Sequence, residues 1–287
     1  MVLINSKYEI LQLLGEGTFG KIYEGINTLT NELIAIKIQK TLFVNILKNE
    51  ANMYNRCKNI KGIPKLRNYG VQDNYNYLIL DKLGNSLENI KDSNCDNKID
   101  LRNVLLIGLQ IINILESIHN IGIIHRDIKP DNILCGIDKN KNKYYLIDFG
   151  ISRYYINNDG IHNKLISNKK PLGTINYISL NVQNGIEASR RDDLESVGYI
   201  LIYCLKGSLP WQNVSGNNKE DRYNNVFQLK QSITLIELCK DIPFEFVIFM
   251  DYCRKLNYDE KPNYNYLKQL LINLSNLYNY NISDLCN

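Results

Sequence analysis

Long hydrophobic runs are missing. No stretch of the 287 residues approaches the ~18–20 consecutive apolar residues that span a bilayer, so neither a transmembrane segment nor a membrane partner is expected. The opening run Met1-Val2-Leu3-Ile4-Asn5-Ser6-Lys7 has neither the basic nor the apolar stretch of a secretory signal. These absences make the cytoplasm the expected location, with access to the nucleus left open. Histidine is scarce, with three residues. The seven cysteines, at 57, 95, 135, 204, 239, 253 and 286, are odd in number and form no C-x-x-C pair. That spacing fits neither a zinc site nor a disulfide framework and suits scattered reduced thiols. Neither sign of charge dominates: 34 Lys and Arg stand against 30 Asp and Glu, a net charge of +4. Such a balance is no nucleic-acid footprint. No nucleic-acid partner is expected, although a local basic patch could meet an anionic substrate. Internal repeats and low-complexity tracts are also lacking.

What is present suits a soluble globule. Hydrophobic residues make up 44% and charged residues 22%, which excludes wholesale disorder. The length suits one large domain or two lobes on one chain and is ample for a hydrophobic core. Asparagine stands at roughly 40 positions, far above average usage. Asn, Ile, Lys and Tyr all have AT-rich codons, so the excess reflects coding bias and fills loops such as Asn213-Val214-Ser215-Gly216-Asn217-Asn218.

The first ~80 residues read mostly as strands: Tyr8 to Leu14, Ile22 to Ile26 and Leu33 to Ile38, the last two separated by a turn at Asn27-Thr28-Leu29-Thr30-Asn31. Ile46, Leu47, Met53, Tyr54 and Cys57 recur at helical spacing, and Tyr77 to Leu80 reads as a further strand. Beyond Asp81-Lys82-Leu83-Gly84 the pattern turns helical. Leu101 to Ile121 is amphipathic, Leu194 to Leu205 is apolar nearly all round, and Phe244 to Cys253 and Tyr264 to Leu277 suit further helices.

Gly15-Glu16-Gly17-Thr18-Phe19-Gly20 is a G-x-G-x-x-G run. A dinucleotide fingerprint needs a helix to start at its last glycine, whereas Lys21-Ile22-Tyr23 continues as strand. The loop is either a hairpin lid whose backbone N–H groups approach phosphate or a glycine-rich hairpin with no ligand. Lys37 is either a phosphate ligand or a solvated strand end. Glu50 is either its ion-pair partner or a solvated helix charge. The run His125-Arg126-Asp127-Ile128-Lys129-Pro130-Asp131-Asn132, followed by Asp148-Phe149-Gly150, supplies the parts phosphoryl transfer needs. Asp127 can accept a hydroxyl proton and Lys129 can neutralise the moving phosphoryl. Asn132 and Asp148 offer oxygen ligands for Mg²⁺.

Together these runs resemble the eukaryotic protein kinase signature. More narrowly, the chain resembles the casein kinase 1 family, with vaccinia-related kinases as related sequences. The features that carry this are Leu83-Gly84-Asn85-Ser86-Leu87-Glu88, the lysine-rich turn Lys139 to Lys143 and Ser179-Leu180-Asn181 in place of Ala-Pro-Glu. Ser189 to Tyr199, Gly207-Ser208-Leu209-Pro210-Trp211-Gln212, and the late runs Asp251 to Arg254 and Asp259 to Tyr264 add to them. The resemblance implies an α+β, two-lobed protein kinase fold over residues 8–280. Its β-rich N-lobe would span about 1–81, its hinge about 81–84 and its helical C-lobe about 85–280, with a short tail at 281–287. It implies an ATP- and Mg²⁺-dependent serine/threonine kinase, expected as a monomer, acting on proteins with acidic or phosphorylated residues near the acceptor.

Position by position, Leu14, Gly15, Glu16, Gly17, Thr18, Phe19, Gly20, Lys21 and Ile22 would cover ATP. Ile22, Ala35 and Leu134 would sandwich adenine, Leu80 would stand at the back, and the backbone of Asp81 and Leu83 would meet the adenine edge. Lys37 and Glu50 would align the phosphates. Thr174 would bond Asp127 and Lys129, and Asp193 would hold the catalytic-loop backbone. Arg126, Arg153, Lys169 and Asn176 match an anion pocket, although Asn176 supplies no charge where the family has arginine. Gly173-Thr174-Ile175 is closer to vaccinia-related kinases, and the basic run after Trp211 is replaced by Asn217 to Arg222. Two rival functions share the fold: a non-catalytic binding scaffold and a small-molecule phosphotransferase.

Overall fold

The computed structural model describes residues 3–17, 20–41 and 44–281, without the side chains of Val44 and Asn45. Thr18 and Phe19 of the glycine-rich run, and the tail from 282 on, lie outside the described residues. In chain order the elements are β1 (Leu3–Ile4), β2 (Tyr8–Gly17), β3 (Gly20–Asn27), β4 (Leu33–Lys40), α1 (Val44–Arg56), β5 (Leu66–Gln72), β6 (Tyr75–Asp81), α2 (Leu87–Asp92) and α3 (Leu101–Asn120). They continue as β7 (Ile123–Ile124), β8 (Ile133–Cys135), β9 (Tyr144–Leu146), β10 (Arg153–Tyr154), α4 (Leu180–Gln183), α5 (Arg190–Lys206), α6 (Lys219–Ser232), α7 (Leu235–Leu238), α8 (Glu245–Lys255) and α9 (Tyr264–Leu277). Two compact units result: Met1–Gly84 with Leu134–Ser152, and Asn85–Ile133 with Arg153–Asn287.

The first unit is built on a six-stranded sheet in the order β1-β2-β3-β4-β6-β5, antiparallel at every pair. Side chains alternate across a strand. Ile34 and Ile36 of β4 therefore enter a cluster with Ile4, Tyr8, Tyr77 and Ile79, flanked by Ile38, while Ala35 and Lys37 lie on the opposite face. Along α1, Leu47, Glu50, Ala51 and Tyr54 are buried, at the i, i+3, i+4, i+7 spacing of one helical stripe. Glu50 thus sits inside an otherwise apolar stripe. The glycine-rich run is the tip of the β2–β3 hairpin, where Gly17 pairs with Gly20 and the chain continues as strand.

The second unit is helical. α5 is buried from Arg190 through Cys204, its first-turn charges included, and burial on every side accounts for the apolar run that begins at Leu194. It starts at a Ser189–Asp192 capping box and ends at Gly207, whose φ of 81° suits glycine. α3 packs against α5 and α9, and α5 against α8. One expectation needs correcting. α3, at 20 residues, is long and apolar enough by length and composition to cross a membrane. Its apolar residues, among them Val104, Leu105, Ile111, Ile112, Leu115 and Ile118, are buried here among protein side chains. Two elements had no clear sequence signal. β5 is short and interrupted by Asn68 and Gly70. α6 is polar nearly all round, with only Val226 and Lys230 buried.

Candidate active site

In the first unit, Lys37 Nζ donates to Glu50 Oε2 at 2.8 Å and to Asp148 Oδ1 at 3.0 Å. The Glu50 side chain is 1% exposed, which rules out a solvated helix charge. Burial alone would lower the lysine's pKa, but the Glu50 and Asp148 carboxylates hold it well above the usual range. Burial pushes the Glu50 carboxyl up while Lys37 pulls it back. With the ammonium this strongly favoured and 2.8 Å away, the pair is ammonium and carboxylate. Asp148 adopts a left-handed backbone, φ 65°, a conformation that costs free energy for a residue with a Cβ and that clusters at functional sites. Its N–H donates to the Tyr54 hydroxyl at 3.0 Å. The Tyr54 ring meets Phe149 edge-on, with centroids 5.0 Å apart. Tyr54 therefore fixes the Asp148-Phe149-Gly150 run from α1, a role its helical spacing did not reveal.

The β2–β3 tip separates its glycines by cause. A Cβ on Gly20 would collide with the Ile38 carbonyl, so packing demands glycine there. A Cβ on Gly15 would meet nothing within 4 Å, and one on Gly17 only the Gly20 carbonyl at 4.0 Å. Packing within the protein makes no such demand at these two positions, and bare backbone there lets a ligand approach N–H groups closely. Glu16 and Lys21 form an exposed pair at 3.7 Å, of small energetic weight. Register sets Ile22 opposite Lys37 and Ala35 opposite Leu80. Ile22, Ala35, Leu80 and Leu134 are half-buried, Leu83 is buried and Leu14 is exposed. The Asp81 carboxylate is committed to Arg67 Nε at 2.6 Å and to the Lys65 N–H, and the Asp81 N–H donates to the Lys65 carbonyl at 3.2 Å.

In the second unit, both oxygens of Asp127 are held. Oδ1 accepts the Thr174 N–H at 3.0 Å and the Thr174 hydroxyl at 2.7 Å. Oδ2 lies 3.1 Å from Lys129 Nζ and accepts Asn132 Nδ2 at 3.3 Å. Asn132 Nδ2 also donates to the Asp127 carbonyl at 2.9 Å, which leaves its amide oxygen as a metal-ligand candidate. Gly173 is required before Thr174: its φ is 107°, and a Cβ would stand 2.6 Å from the Arg126 carbonyl. Arg126 is itself left-handed at φ 72°. Asp193 holds this bend by accepting the His125 and Arg126 N–H groups, each at 2.8 Å, with His119 Nε2 at 3.0 Å. Burial alone would raise the Asp193 carboxyl, yet His119 and the backbone donors keep it below its ordinary range. His119 is fixed in turn by the Tyr264 hydroxyl, 2.7 Å from Nδ1. The sequence offered no sign of that support beyond a histidine on the buried face of α3.

The expected anion pocket gathers around Glu187, a carboxylate with no distinguishing sequence signal. Arg126 and Arg153 donate to Glu187 at 3.3 and 2.9 Å, and Lys169 Nζ lies 3.9 Å away. Three cations against one anion leave a local excess of two positive charges. Asn176 is held differently: its carbonyl accepts Trp211 Nε1 at 2.9 Å, and its side-chain oxygen is buried with no hydrogen-bond partner among the described residues.

Each unit thus holds groups that phosphate chemistry uses: in the first a strand lysine tied to a helix glutamate and to a left-handed aspartate, in the second an aspartate held on both oxygens beside a threonine. A family model, the protein kinase domain, matches residues 8–276. The chain belongs to the protein kinase domain family. Its β-sheet N-lobe and helical C-lobe are those of the two-lobed kinase fold. Membership carries phosphotransferase chemistry with ATP and a divalent metal ion. The Asp148 carboxylate in the first unit and the Asn132 amide oxygen in the second are each the kind of oxygen donor that a hard divalent cation takes.

Proposed function

We propose that this kinase domain is a serine/threonine kinase of the casein kinase 1 type, transferring the γ-phosphoryl of ATP to Ser or Thr of proteins carrying acidic or phosphorylated residues near the acceptor. The observation that carries the reading is the Asp127 carboxylate, oriented by Thr174 on one oxygen and by Lys129 and Asn132 on the other. A carboxylate offers about four acceptor positions, and all four are engaged. The longest bond, from Asn132 at 3.3 Å, is the cheapest to give up, and its release opens Oδ2 to an acceptor hydroxyl. Asp127 takes that hydroxyl's proton as the oxygen–phosphorus bond forms. The bond from the γ-phosphorus to the bridging oxygen breaks, and ADP leaves. Lys129 faces the charge on the moving phosphoryl, and Lys37, held by Glu50, steadies the remaining phosphates. Mg²⁺, bound through Asn132 and Asp148, would neutralise the charge developing on the phosphate oxygens.

Lys129, two residues after Asp127, supports serine/threonine over tyrosine acceptors, as the resemblance implies. The casein kinase 1 motifs also make specific bonds. The Ser179 hydroxyl donates to Asp192, Arg190 donates to the Asp259 carbonyl, and Arg191 donates to the Leu256 carbonyl. These bonds tie Ser179-Leu180-Asn181, the Ser189 to Tyr199 run and the late Asp259 run into one framework. The excess positive charge around Glu187 supports a preference for acidic neighbours. Transfer of radiolabelled phosphate from ATP to casein, followed by phosphoamino-acid analysis, tests the reading. Label on serine and threonine is expected. Label on tyrosine, on small alcohols alone, or on nothing would overturn it.

A further inference from the structure

Lys230 is fully buried on a helix that is otherwise almost wholly solvated. Its Nζ donates to the carbonyls of Ile175 at 2.7 Å and Ile178 at 2.9 Å. It stands 5.0 Å from the centroid of the Tyr199 ring and 5.2 Å from that of Trp211. Burial pulls its pKa down to about 7, with Glu195 raising it and Arg254 lowering it. Removing an ammonium group from water is costly unless its donors find partners. A methionine of similar reach would fill the same space without that cost. The partners Lys230 finds belong to a single short segment.

That segment, 174–178, is held at almost every backbone acceptor. The Ile175 and Ile178 carbonyls take Lys230, the Asn176 carbonyl takes Trp211 Nε1, and the Thr174 carbonyl takes the N–H groups of Tyr177 and Ile178. At its start, Thr174 is bonded twice to Asp127. At its end, Ser179 donates to buried Asp192. Two side chains from later in the chain therefore set the course of the backbone that begins at the Asp127 contact.

The geometry points to Lys230, with Trp211, as positioning residues for the protein acceptor: they hold backbone 174–178 so that Thr174 meets Asp127 and an incoming peptide finds a preformed edge. This rests on the reading of Asp127 and Thr174 given above. The bonds of both side chains run to the 175–178 backbone, so the effect falls on peptide transfer and spares ATP hydrolysis by water. An ångström of misplacement at such a position is costly in rate.

Lys230→Met is expected to lower kcat/KM for a casein-derived peptide about tenfold, the weight of two hydrogen bonds to carbonyls. KM for ATP and peptide-free ATP hydrolysis should stay within about twofold of wild type. Lys230→Arg, which keeps a cation, should recover part of the loss. Hydrogen exchange should show faster amide exchange across 174–178 in Lys230→Met, with α5 still protected. Equal losses of peptide transfer and ATP hydrolysis, or unchanged exchange in the segment, would overturn the assignment. If Lys230→Met does not fold, Trp211→Phe, which removes the donor to the Asn176 carbonyl together with part of a buried ring, must show the same split and the same local exchange. If the wild-type chain phosphorylates no protein, the serine/threonine reading fails, and the exchange measurement alone decides whether Lys230 holds the segment.

Discussion

Removing Glu50 should expose how much of catalysis depends on holding one ammonium group. The Lys37–Glu50 bond is 2.8 Å long with the carboxylate 1% exposed, so solvent screening is slight. Breaking a buried pair typically costs about 3–5 kcal/mol, because the remaining charge is left uncompensated. Lys37 keeps Asp148 at 3.0 Å, which puts the expected cost near the lower end. At about 1.4 kcal/mol per factor of ten, a loss of roughly 3 kcal/mol in alignment is about a hundredfold in kcat/KM. Glu50→Gln keeps an acceptor oxygen and loses only its charge. The difference between charged and neutral bonds is about 1–1.5 kcal/mol, so roughly tenfold is expected. Lys37→Met removes the ammonium itself, and Glu50 then takes a proton because burial already pushes its carboxyl up. In a double-mutant cycle on kcat/KM with ATP varied and casein held fixed, the coupling should be about 1–3 kcal/mol. Thermal midpoints measured in parallel separate misfolding from misalignment. Additivity within ~0.5 kcal/mol, the range seen for independent sites, would refute the claim that the two residues act as a unit.

Three further outcomes are expected. Asp127→Asn is near-isosteric and should lower kcat by roughly 10²–10⁴ with little change in ATP affinity; turnover like that of wild type would remove Asp127 from its role. Glu187→Gln deletes the anion shared by Arg126, Arg153 and Lys169. It should raise kcat/KM for a phospho-primed peptide more than for its unprimed twin, with a gain that shrinks as salt screens the charges, and equal effects on both peptides would show that the cluster does not read the priming group. Lys230 has a folded pKa of about 7 against an ordinary value near 10.4 in the unfolded chain. Between those values the unfolded chain binds the extra proton, so this residue's penalty on stability is full below pH 7 and fades as pH rises towards 10. The stability of Lys230→Met relative to wild type should therefore be more favourable at pH 6 than at pH 9.5, by on the order of a few kcal/mol, as read by denaturation midpoints; a difference independent of pH would contradict the depressed pKa.

Chemistry confined to contiguous residues is legible in the sequence alone. The His125 to Asn132 and Asp148 to Gly150 runs carry their meaning in local order, and α9 spans Tyr264–Leu277, as its apolar spacing indicates. Strands β2, β3, β4 and β6 are visible through alternation and β-branched residues. α6 is not, because a helix with two buried residues has no apolar stripe to read. The two readings of Glu50 cannot be separated along the chain either, since a charge at helical spacing is the same letter whether solvated or buried. Burial against Lys37 decided it, through a contact 13 residues away in sequence. The convergence of Arg126, Arg153 and Lys169 on Glu187, the support His119 gives Asp193, and the Lys230 bonds to a segment more than 50 residues earlier are likewise tertiary facts. The sequence by itself determined which groups were available for phosphoryl transfer, because that chemistry needs particular side chains in a local order. Only the tertiary structure decided which charges are desolvated and paired, because desolvation depends on what packs around a side chain and not on its neighbours along the chain.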